Sequence, residues 1–227
     1  MKKISFLLVM VSLLWMLPVR AQQQDKLLQT LKSELEYSFS ELKKRELPPY
    51  YMNLRASDSY NVTISSNFGA MRSSNEKRTR LLVPQIRLGS PELDNFKYST
   101  SGAMVNRRTG AVMGGSYLPL DDSAADAIRQ AIWVDVLNRY DFACFMYEKT
   151  KTQAAVSVED EDKSSCFSKS PVEKYYEEPI PVGLSSVDMD AWEKRLNEIS
   201  AVFRANSNLQ EGSATLTFNT LRTYFVN

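Results

Sequence analysis

The hydrophobic period of the chain changes at Pro48-Pro49, and this change limits the folds open to it. From Asp25 to Leu47 the apolar residues recur at steps of four and three, which is the spacing of one face of a helix. After the two prolines, which end a helix, apolar and polar residues alternate over 50–56 and again around 62–64. Alternation is typical of strands that bury one face. The sequence therefore predicts a helix followed by an antiparallel meander.

The rest of the chain continues this mixture of helices and strands. A turn or a crossing point is predicted at Phe68-Gly69, and the next strand runs from Arg80 to Leu88. Pro84 in this strand favours a sheet edge or a position whose N–H needs no partner. Residues 89–120 lack a sustained period and are predicted to form a long loop.

Two further helices and a closing pair of strands are predicted. The second helix begins at Asp121-Asp122-Ser123, and a polar, acidic and mobile loop covers about 156–170. The third helix is predicted from Asp188 to Ala205, and its buried row is Trp192, Leu196, Ile199 and Phe203. Two strand patterns follow, Ala214, Leu216 and Phe218, then Leu221, Thr223 and Phe225. The fold class predicted is α+β, an antiparallel sheet with about three packed helices.

The first 21 residues have the three parts of a secretory signal peptide. Lys2 and Lys3 precede an apolar run from Ile4 to Pro18, and Val19-Arg20-Ala21 places small residues where a signal peptidase reads them. The run is shorter than the roughly 20 residues that a membrane span needs. We therefore predict cleavage after Ala21, a single mature domain over residues 22–227 in the periplasm or outside the cell, and no membrane contact afterwards.

The net charge of the mature chain does not indicate a particular class of partner. The whole sequence has 28 basic and 27 acidic residues; the leader removes Lys2, Lys3 and Arg20 and no acidic residue, so 25 basic residues remain and the net charge is −2. A nucleic-acid-binding protein usually has a basic excess that displaces counterions from phosphate. The basic cluster is interpreted as a solvated hairpin end, and no nucleic-acid partner is predicted; its members are Arg72, Lys77, Arg78 and Arg80.

The sequence contains no histidine. Histidine is the commonest metal ligand, the commonest general base and the partner of the nucleophile in serine and cysteine triads. We therefore predict no catalytic residue, no metal ligand and no cofactor. Serine-lysine catalysis needs no histidine, but Ser-x-x-Lys occurs at Ser40/Lys43 and Ser74/Lys77 without the supporting motifs of that chemistry. A catalytic carboxylate pair needs no motif at all, and nothing in the sequence selects one.

The two cysteines, Cys144 and Cys166, leave a disulfide open. An oxidising compartment permits the bond, which would stabilise the fold by roughly 3 kcal/mol in the chain-entropy model. Cys144 continues the buried row of the second helix, whereas Cys166 lies in a polar loop. Free thiols are the other outcome, because a buried cysteine is also a common small apolar residue.

An ordered set of segments resembles the amino-terminal region of the TldD/PmbA family of metallopeptidases, in the secreted form of Bacteroides-like bacteria. The first two segments are Leu47-Pro48-Pro49-Tyr50-Tyr51-Met52 and the run from Arg80 to Ser90 with Asp94-Asn95-Phe96 behind it. The others are Leu118-Pro119-Leu120-Asp121-Asp122, Ala131-Ile132-Trp133 and the run from Arg222 to Asn227. In order and spacing they cover most of the mature chain.

The resemblance implies helices packed on a curved sheet, and relatives that assemble as dimers around a chamber and cut unfolded peptides. In the family, two histidines of a His-Glu-x-x-x-His helix hold zinc, and the glutamate acts on the metal-bound water. This sequence has no histidine, so none of those roles can be carried over. The resemblance further implies that the family's sequence continues past this region toward that helix.

Three functions are therefore open. The first is the amino-terminal, non-catalytic domain of a secreted TldD/PmbA-type zinc metallopeptidase, truncated or encoded separately, with a docking, dimerisation or substrate-chamber role. Its partners would be a full-length relative or a second copy, and peptide substrates only within that assembly. The second is a freestanding periplasmic peptide-binding or scaffold domain. The third, more remote, is a hydrolase using carboxylates or a serine-lysine pair.

Overall fold

The computed structural model describes residues 25–97, 115–156, 164–168, 170–178 and 188–227. The predicted signal peptide at 1–21 lies outside the described residues, as do residues 157–163 and 169 of the predicted acidic loop. Within the described ranges, no helix is both long and apolar enough to cross a membrane.

Three helices and four strands form the described part of the chain. In chain order they are α1 (Lys26–Leu42), β1 (Pro49–Asn67), β2 (Ala70–Leu88), β3 (Ser116–Tyr117), α2 (Ala125–Val156), α3 (Met189–Ala201) with a 3₁₀ turn (Val202–Ala205), and β4 (Ser213–Val226). The strands make one antiparallel sheet in the order β3-β2-β1-β4. This confirms the predicted α+β class with an antiparallel sheet and three helices.

The chain divides into two compact units. The first comprises Met1–Ala56, Leu81–Glu178 and Tyr224–Asn227, and the second comprises Ser57–Arg80 and Pro179–Thr223. Because β1, β2 and β4 each contribute residues to both units, the single domain predicted for residues 22–227 stays a prediction.

The core of the first unit joins α1 and α2 to one face of the sheet. Asp25 caps α1 by accepting the backbone N–H of Leu28 at 3.0 Å. The helix ends at Leu42, earlier than predicted, because the N–H groups of Lys44 and Arg45 turn back three residues to the carbonyls of Glu41 and Leu42. The fully buried side chains of this core are Leu27, Leu31, Leu42, Leu54, Ala56, Leu82, Leu88, Ile128, Ile132 and Val136.

β1 is longer than either predicted strand because its alternation is continuous from Leu54 to Ser66. The two predicted strands at 50–56 and 62–64 have the same parity, and the structure joins them in β1. The two patterns near the end of the chain have opposite parity, so one strand cannot bury both. The single strand β4 keeps Ala214, Leu216 and Phe218 packed on the core and turns Leu221 and Phe225 outward, 64% and 45% exposed. The strand pattern predicted at Leu221, Thr223 and Phe225 is thus part of β4, and its residues lie on the exposed side.

In the second unit, α3 buries fewer apolar side chains against the sheet than its sequence predicts. Its core is Tyr60, Val62, Ile64 and Leu196, with Ala214, Leu216 and Phe218 packed against it. Of the predicted row only Leu196 is buried, whereas Trp192, Ile199 and Phe203 are exposed. Ser200 is the other buried residue of α3, so the contact face is narrower and more polar than the apolar spacing predicts.

The turn at Phe68-Gly69 is confirmed, and α3 holds it. Both residues have positive φ, 47° and 74°, as a two-residue type I′ hairpin turn requires. Glycine tolerates that backbone, while phenylalanine does so at a cost. The turn is fixed from outside by hydrogen bonds from the Phe68 N–H to the Gly212 carbonyl at 2.9 Å and from the Gly69 N–H to the Ser200 hydroxyl at 2.8 Å.

A buried ion triad joins β1 to β2 in the second unit. Asp58, 2% exposed, accepts hydrogen bonds from Arg78 Nη2 at 2.8 Å and from Arg80 Nη2 at 2.7 Å. Arg80 is itself 1% exposed, so the interpretation of this basic cluster as a solvated hairpin end was wrong for Arg80. Desolvation opposes the Asp58 carboxylate, but the hydrogen bonds and charges of both arginines outweigh it, and the pKa of Asp58 is lowered.

We expect Asp58→Asn to destabilise the protein by about 3–5 kcal/mol, because it leaves Arg80 buried without its counter-charge. The lowered pKa of Asp58 adds a pH dependence. This stabilisation is complete above the unfolded pKa of about 3.9 and is lost as the pH falls through the lower folded value. Urea unfolding measured from pH 7 to pH 2 checks both effects.

The matched control is Asp126→Asn, an acidic residue on the surface of α2 whose side chain is 99% exposed. It should change the free energy of unfolding by less than about 0.5 kcal/mol. Equal effects of the two substitutions would contradict the structural role given to Asp58.

Candidate ligand-binding site

A cavity of about 300 Å³ opens beside β2 in the first unit. We call it the β2 cavity. Its polar lining residues are Asn53, Arg55, Gln85, Asn95 and Arg139, and its apolar walls are Val83, Pro84, Ile86, Phe96, Phe142 and Ala143. Apolar walls with a few polar groups are typical of ligand sites, although this volume is at the lower end of their range, roughly 300–1,000 Å³.

The lining residues of β2 follow directly after the two residues that pair with β3. The two residues of β3 pair only with Leu81 and Leu82 of β2. The four lining residues from Val83 to Ile86 follow directly, and Pro84 among them has no N–H to leave unpaired. The sheet order places β2 between β3 and β1, and the edge position expected for Pro84 stays a prediction.

Four elements supply the lining. Asn53 and Arg55 lie two residues apart on β1 and therefore project to the same face of the sheet, the face opposite the buried Leu54. Arg139, Phe142 and Ala143 have the spacing of one side of helix α2. The bend after β2 contributes Asn95 and Phe96.

Two side-chain amides are arranged so that a donor remains for a ligand. The Asn53 amide nitrogen donates to Gln85 Oε1 at 2.7 Å and to the Tyr51 hydroxyl at 3.2 Å. The carbonyl of Gln85 thus accepts one hydrogen bond, and its amide nitrogen has no hydrogen-bond partner within the described ranges. Asn95 instead holds the bend to β2, accepting from the Leu88 N–H at 2.8 Å and donating to the Ile86 carbonyl at 3.2 Å.

The charged groups of the cavity are both guanidinium groups. Arg55 is exposed and lies 5.7 Å from the Phe225 ring centre. Arg139 is half-buried, and desolvation lowers its pKa although the charge of Asp135 opposes the shift. Asp135 lies one turn earlier on α2 and does not line the cavity. Burial raises the pKa of its carboxyl, against a hydrogen bond from Ser116 and the charge of Arg139.

A second cluster beside the cavity fixes one of its walls. The guanidinium group of Arg87 lies 4.6 Å from the ring centre of Phe96, a wall residue, and 4.7 Å from that of Phe167. Arg87 forms an ion pair with the fully buried carboxylate of Asp94. Asp94 also accepts from the Phe96 N–H at 2.8 Å and from the Tyr50 hydroxyl at 2.7 Å. Asp94 thus holds the backbone of Phe96 through a hydrogen bond, and its ion pair holds Arg87, whose guanidinium group stacks on the Phe96 ring.

The same cluster anchors the described part of the predicted acidic loop. Phe167 packs on the Tyr51 ring at 4.6 Å, and its N–H donates to the Pro91 carbonyl at 3.1 Å. Arg87 donates to the Cys166 carbonyl at 3.3 Å. Burial is the main cause that raises the pKa of Tyr50, followed by its hydrogen bond to Asp94.

The two serine-lysine pairs named from the sequence do not line this cavity. Their members have other partners or project to opposite faces of a strand. Ser40 donates to the Tyr37 carbonyl at 2.8 Å, while Lys43 lies over the Phe39 ring. Ser74 and Lys77 lie three residues apart on β2, where side chains project to opposite faces. Across the described ranges, no group of three or more cysteine, aspartate or glutamate side chains is placed to hold a metal ion.

The two cysteines are free thiols in the structure. Cys144 lies on α2, where burial raises the pKa of its thiol, and Tyr140 is its hydrogen-bond partner. The Cys166 thiol donates to the Glu92 carbonyl at 3.3 Å. The pairing left open by the sequence is therefore absent from this conformation.

Sequence reasoning did not identify the β2 cavity. Its residues come from β1, β2, the bend at 95–96 and α2, and no short motif unites them. The available signals were weak: Arg55 on the polar side of an alternating strand, and Arg139 next to the buried row of a core helix.

No model of a known protein family matches the chain, and a comparison with curated proteins finds no match. The resemblance to the TldD/PmbA family therefore stays a prediction made from the residues.

We expect two thiols per chain to react with a disulfide reagent in denaturant, without prior reduction. In the native protein at pH 8, Cys144 should react more slowly than Cys166, because its raised pKa leaves less thiolate. Cys144→Ala and Cys166→Ala variants assign the two phases. A native protein with no titratable thiol until it is reduced would contradict the free-thiol arrangement.

Proposed function

We propose that this chain is a non-catalytic domain of a secreted, periplasmic or extracellular TldD/PmbA-type metallopeptidase, and that it contributes to proteolysis by binding peptide in the β2 cavity. The observation that supports this proposal is the composition of the cavity. It combines apolar walls, two guanidinium groups and a side-chain amide donor. Its partner is a full-length relative or a second copy of this chain.

The cavity suits a peptide better than it suits a uniformly polar ligand. Phe96 and Phe142 offer aromatic surface for a side chain, while Arg55, Arg139 and the Gln85 amide offer hydrogen-bond donors. Peptides present carbonyl and carboxylate oxygens, which accept from such donors, beside side chains that are often apolar. A phosphate-rich ligand would match the charge but not the aromatic walls.

The sequence supports a role without catalysis by this chain alone. It has no histidine, so it cannot form the His-Glu-x-x-x-His zinc site that the resemblance implies for active relatives. The serine-lysine alternative loses support from the contacts of Ser40 and Lys43, which point to other partners. Hydrolysis within an assembly would therefore take place on the catalytic chain.

A second candidate is a freestanding peptide-binding or scaffold domain. One observation favours it: all residues that line the β2 cavity belong to a single compact unit, so the cavity is complete within this chain. The two candidates share the binding site and differ in whether a catalytic partner must be present. The remote hydrolase hypothesis differs from both because it predicts turnover.

We expect the purified mature chain to bind a fluorescein-labelled decapeptide rich in leucine and phenylalanine, measured by anisotropy. Arg139→Gln should weaken binding about tenfold, because a charge-assisted hydrogen bond contributes roughly 1.5–3 kcal/mol. Mass spectrometry of the same samples should show intact peptide, with and without added zinc.

The control is Arg129→Gln, which removes the same charge from the same helix. Arg129 is half-exposed and contacts Glu34 and Asp126, away from the cavity. It should leave binding unchanged, and thermal unfolding should show both variants folded. Peptide cleavage by this chain alone would contradict the non-catalytic role, and an Arg139→Gln protein that binds like the wild type would contradict the site.

A further inference from the structure

We propose that the β2 cavity selects a glutamine side chain in the peptide that it binds, and that Asn53 and Gln85 recognise its carboxamide as a pair. This inference rests on the proposed function and names the side chain that the site prefers. Its basis is one open hydrogen-bond acceptor and one open donor in the same lining.

The two amides of the pair leave one acceptor and one donor open. Asn53 donates from Nδ2 to Gln85 Oε1 at 2.7 Å, so Asn53 Oδ1 and Gln85 Nε2 remain. In the described part of the chain neither atom has a hydrogen-bond partner. Asn53 is only 5% exposed, yet neither atom is among the polar atoms buried there without a partner, so both reach the cavity. A ligand that displaces water from them must supply both a donor and an acceptor.

The two open atoms are close enough for one carboxamide to join them. Each is bonded to the same carbon as an atom of the Asn53–Gln85 hydrogen bond, so covalent geometry keeps them within about 7 Å of each other. A primary carboxamide has an oxygen and an N–H on one edge, and hydrogen bonds of about 2.9 Å at both ends cover that distance. A main-chain peptide group is trans and presents its N–H and C=O on opposite sides. A side-chain carboxamide therefore matches the pair better.

The pair is held in place before a ligand binds. Asn53 lies on β1 and Gln85 on the neighbouring strand β2, so the sheet fixes both backbones. The Asn53 amide also donates to the Tyr51 hydroxyl at 3.2 Å. Such preorganisation reduces the entropy that is lost on binding. Turning both amides over would exchange their roles and would again leave one donor and one acceptor.

The rest of the lining disfavours charged side chains beside this pair. The guanidinium groups of Arg55 and Arg139 repel lysine and arginine. A glutamate carboxylate has no proton to donate to Asn53 Oδ1. Arg139 already has interaction partners of its own, and the charge of Asp135 is one of them. The Phe142 wall suits the two methylene groups of glutamine.

The test measures fluorescence anisotropy of the mature chain with three labelled decapeptides. They share one sequence rich in leucine and phenylalanine and differ only in a central residue, which is glutamine, glutamate or methionine. Methionine has the length of glutamine without its hydrogen bonds. All three peptides end in an N-methylamide, so that no other primary carboxamide is present.

We expect the glutamine peptide to bind about tenfold more tightly than the other two. Gln85→Met should abolish this preference, because it removes the open donor and the acceptor that holds Asn53. The control Gln130→Met makes the same replacement at an exposed position of α2 and should keep the preference. Thermal unfolding checks that both variants are folded, and the comparison of the three peptides on the wild-type chain does not depend on either variant.

Each other outcome overturns the inference in a distinguishable way. Equal binding of the glutamine and methionine peptides would refute the carboxamide preference and leave the peptide-binding function standing. Tighter binding of the glutamate peptide would identify the arginines, and not the amide pair, as the selective groups. A Gln85→Met protein that keeps the preference would place the recognition at other residues. Binding of none of the three peptides would refute the proposed function together with this inference.

Discussion

The two-residue alternation of burial, from Leu54 to Ser66 in β1 and from Arg80 to Leu88 in β2, is the constraint on which the rest of the structure depends. It places Leu54 and Leu82 in the core of the first unit, and Val62 and Ile64 in the core of the second. A shift by one residue would exchange the two faces of the sheet. The same alternation turns Asn53, Arg55 and Gln85 away from Leu54 and Leu82, and these three residues line the β2 cavity together with the core residues Ile86 and Ala143. Core and candidate site therefore follow from one pattern.

Much of the fold could be predicted from the sequence because its signals are local. Helical spacing, the prolines after α1 and the Phe68-Gly69 turn identified the elements and the α+β class. The errors concern residues whose burial depends on a neighbouring segment or side chain. Leu221 carries a strand pattern, but the continuity of β4 turns it outward, and Arg80 is buried because Asp58 stands opposite it on β1. Composition alone cannot place such partners.

The candidate site was hardly predictable, for the same reason. Arg55 and Arg139 come from a strand and a helix that meet only in the folded unit, and the wall residue Phe96 is held by Asp94 and Arg87. The absence of histidine, by contrast, was evident from the sequence and excludes the zinc site of the family that the chain resembles. The sequence thus excluded a class of metal site, and the structure showed a cavity that the sequence did not predict.

The central claim is that this chain recognises peptide at the β2 cavity and leaves it intact. A crystal structure of the mature chain soaked with the decapeptide rich in leucine and phenylalanine tests that claim most directly. The account predicts uncleaved peptide in the β2 cavity, with an apolar side chain against Phe142. Peptide bound at any other surface, with the β2 cavity filled by water alone, would contradict it.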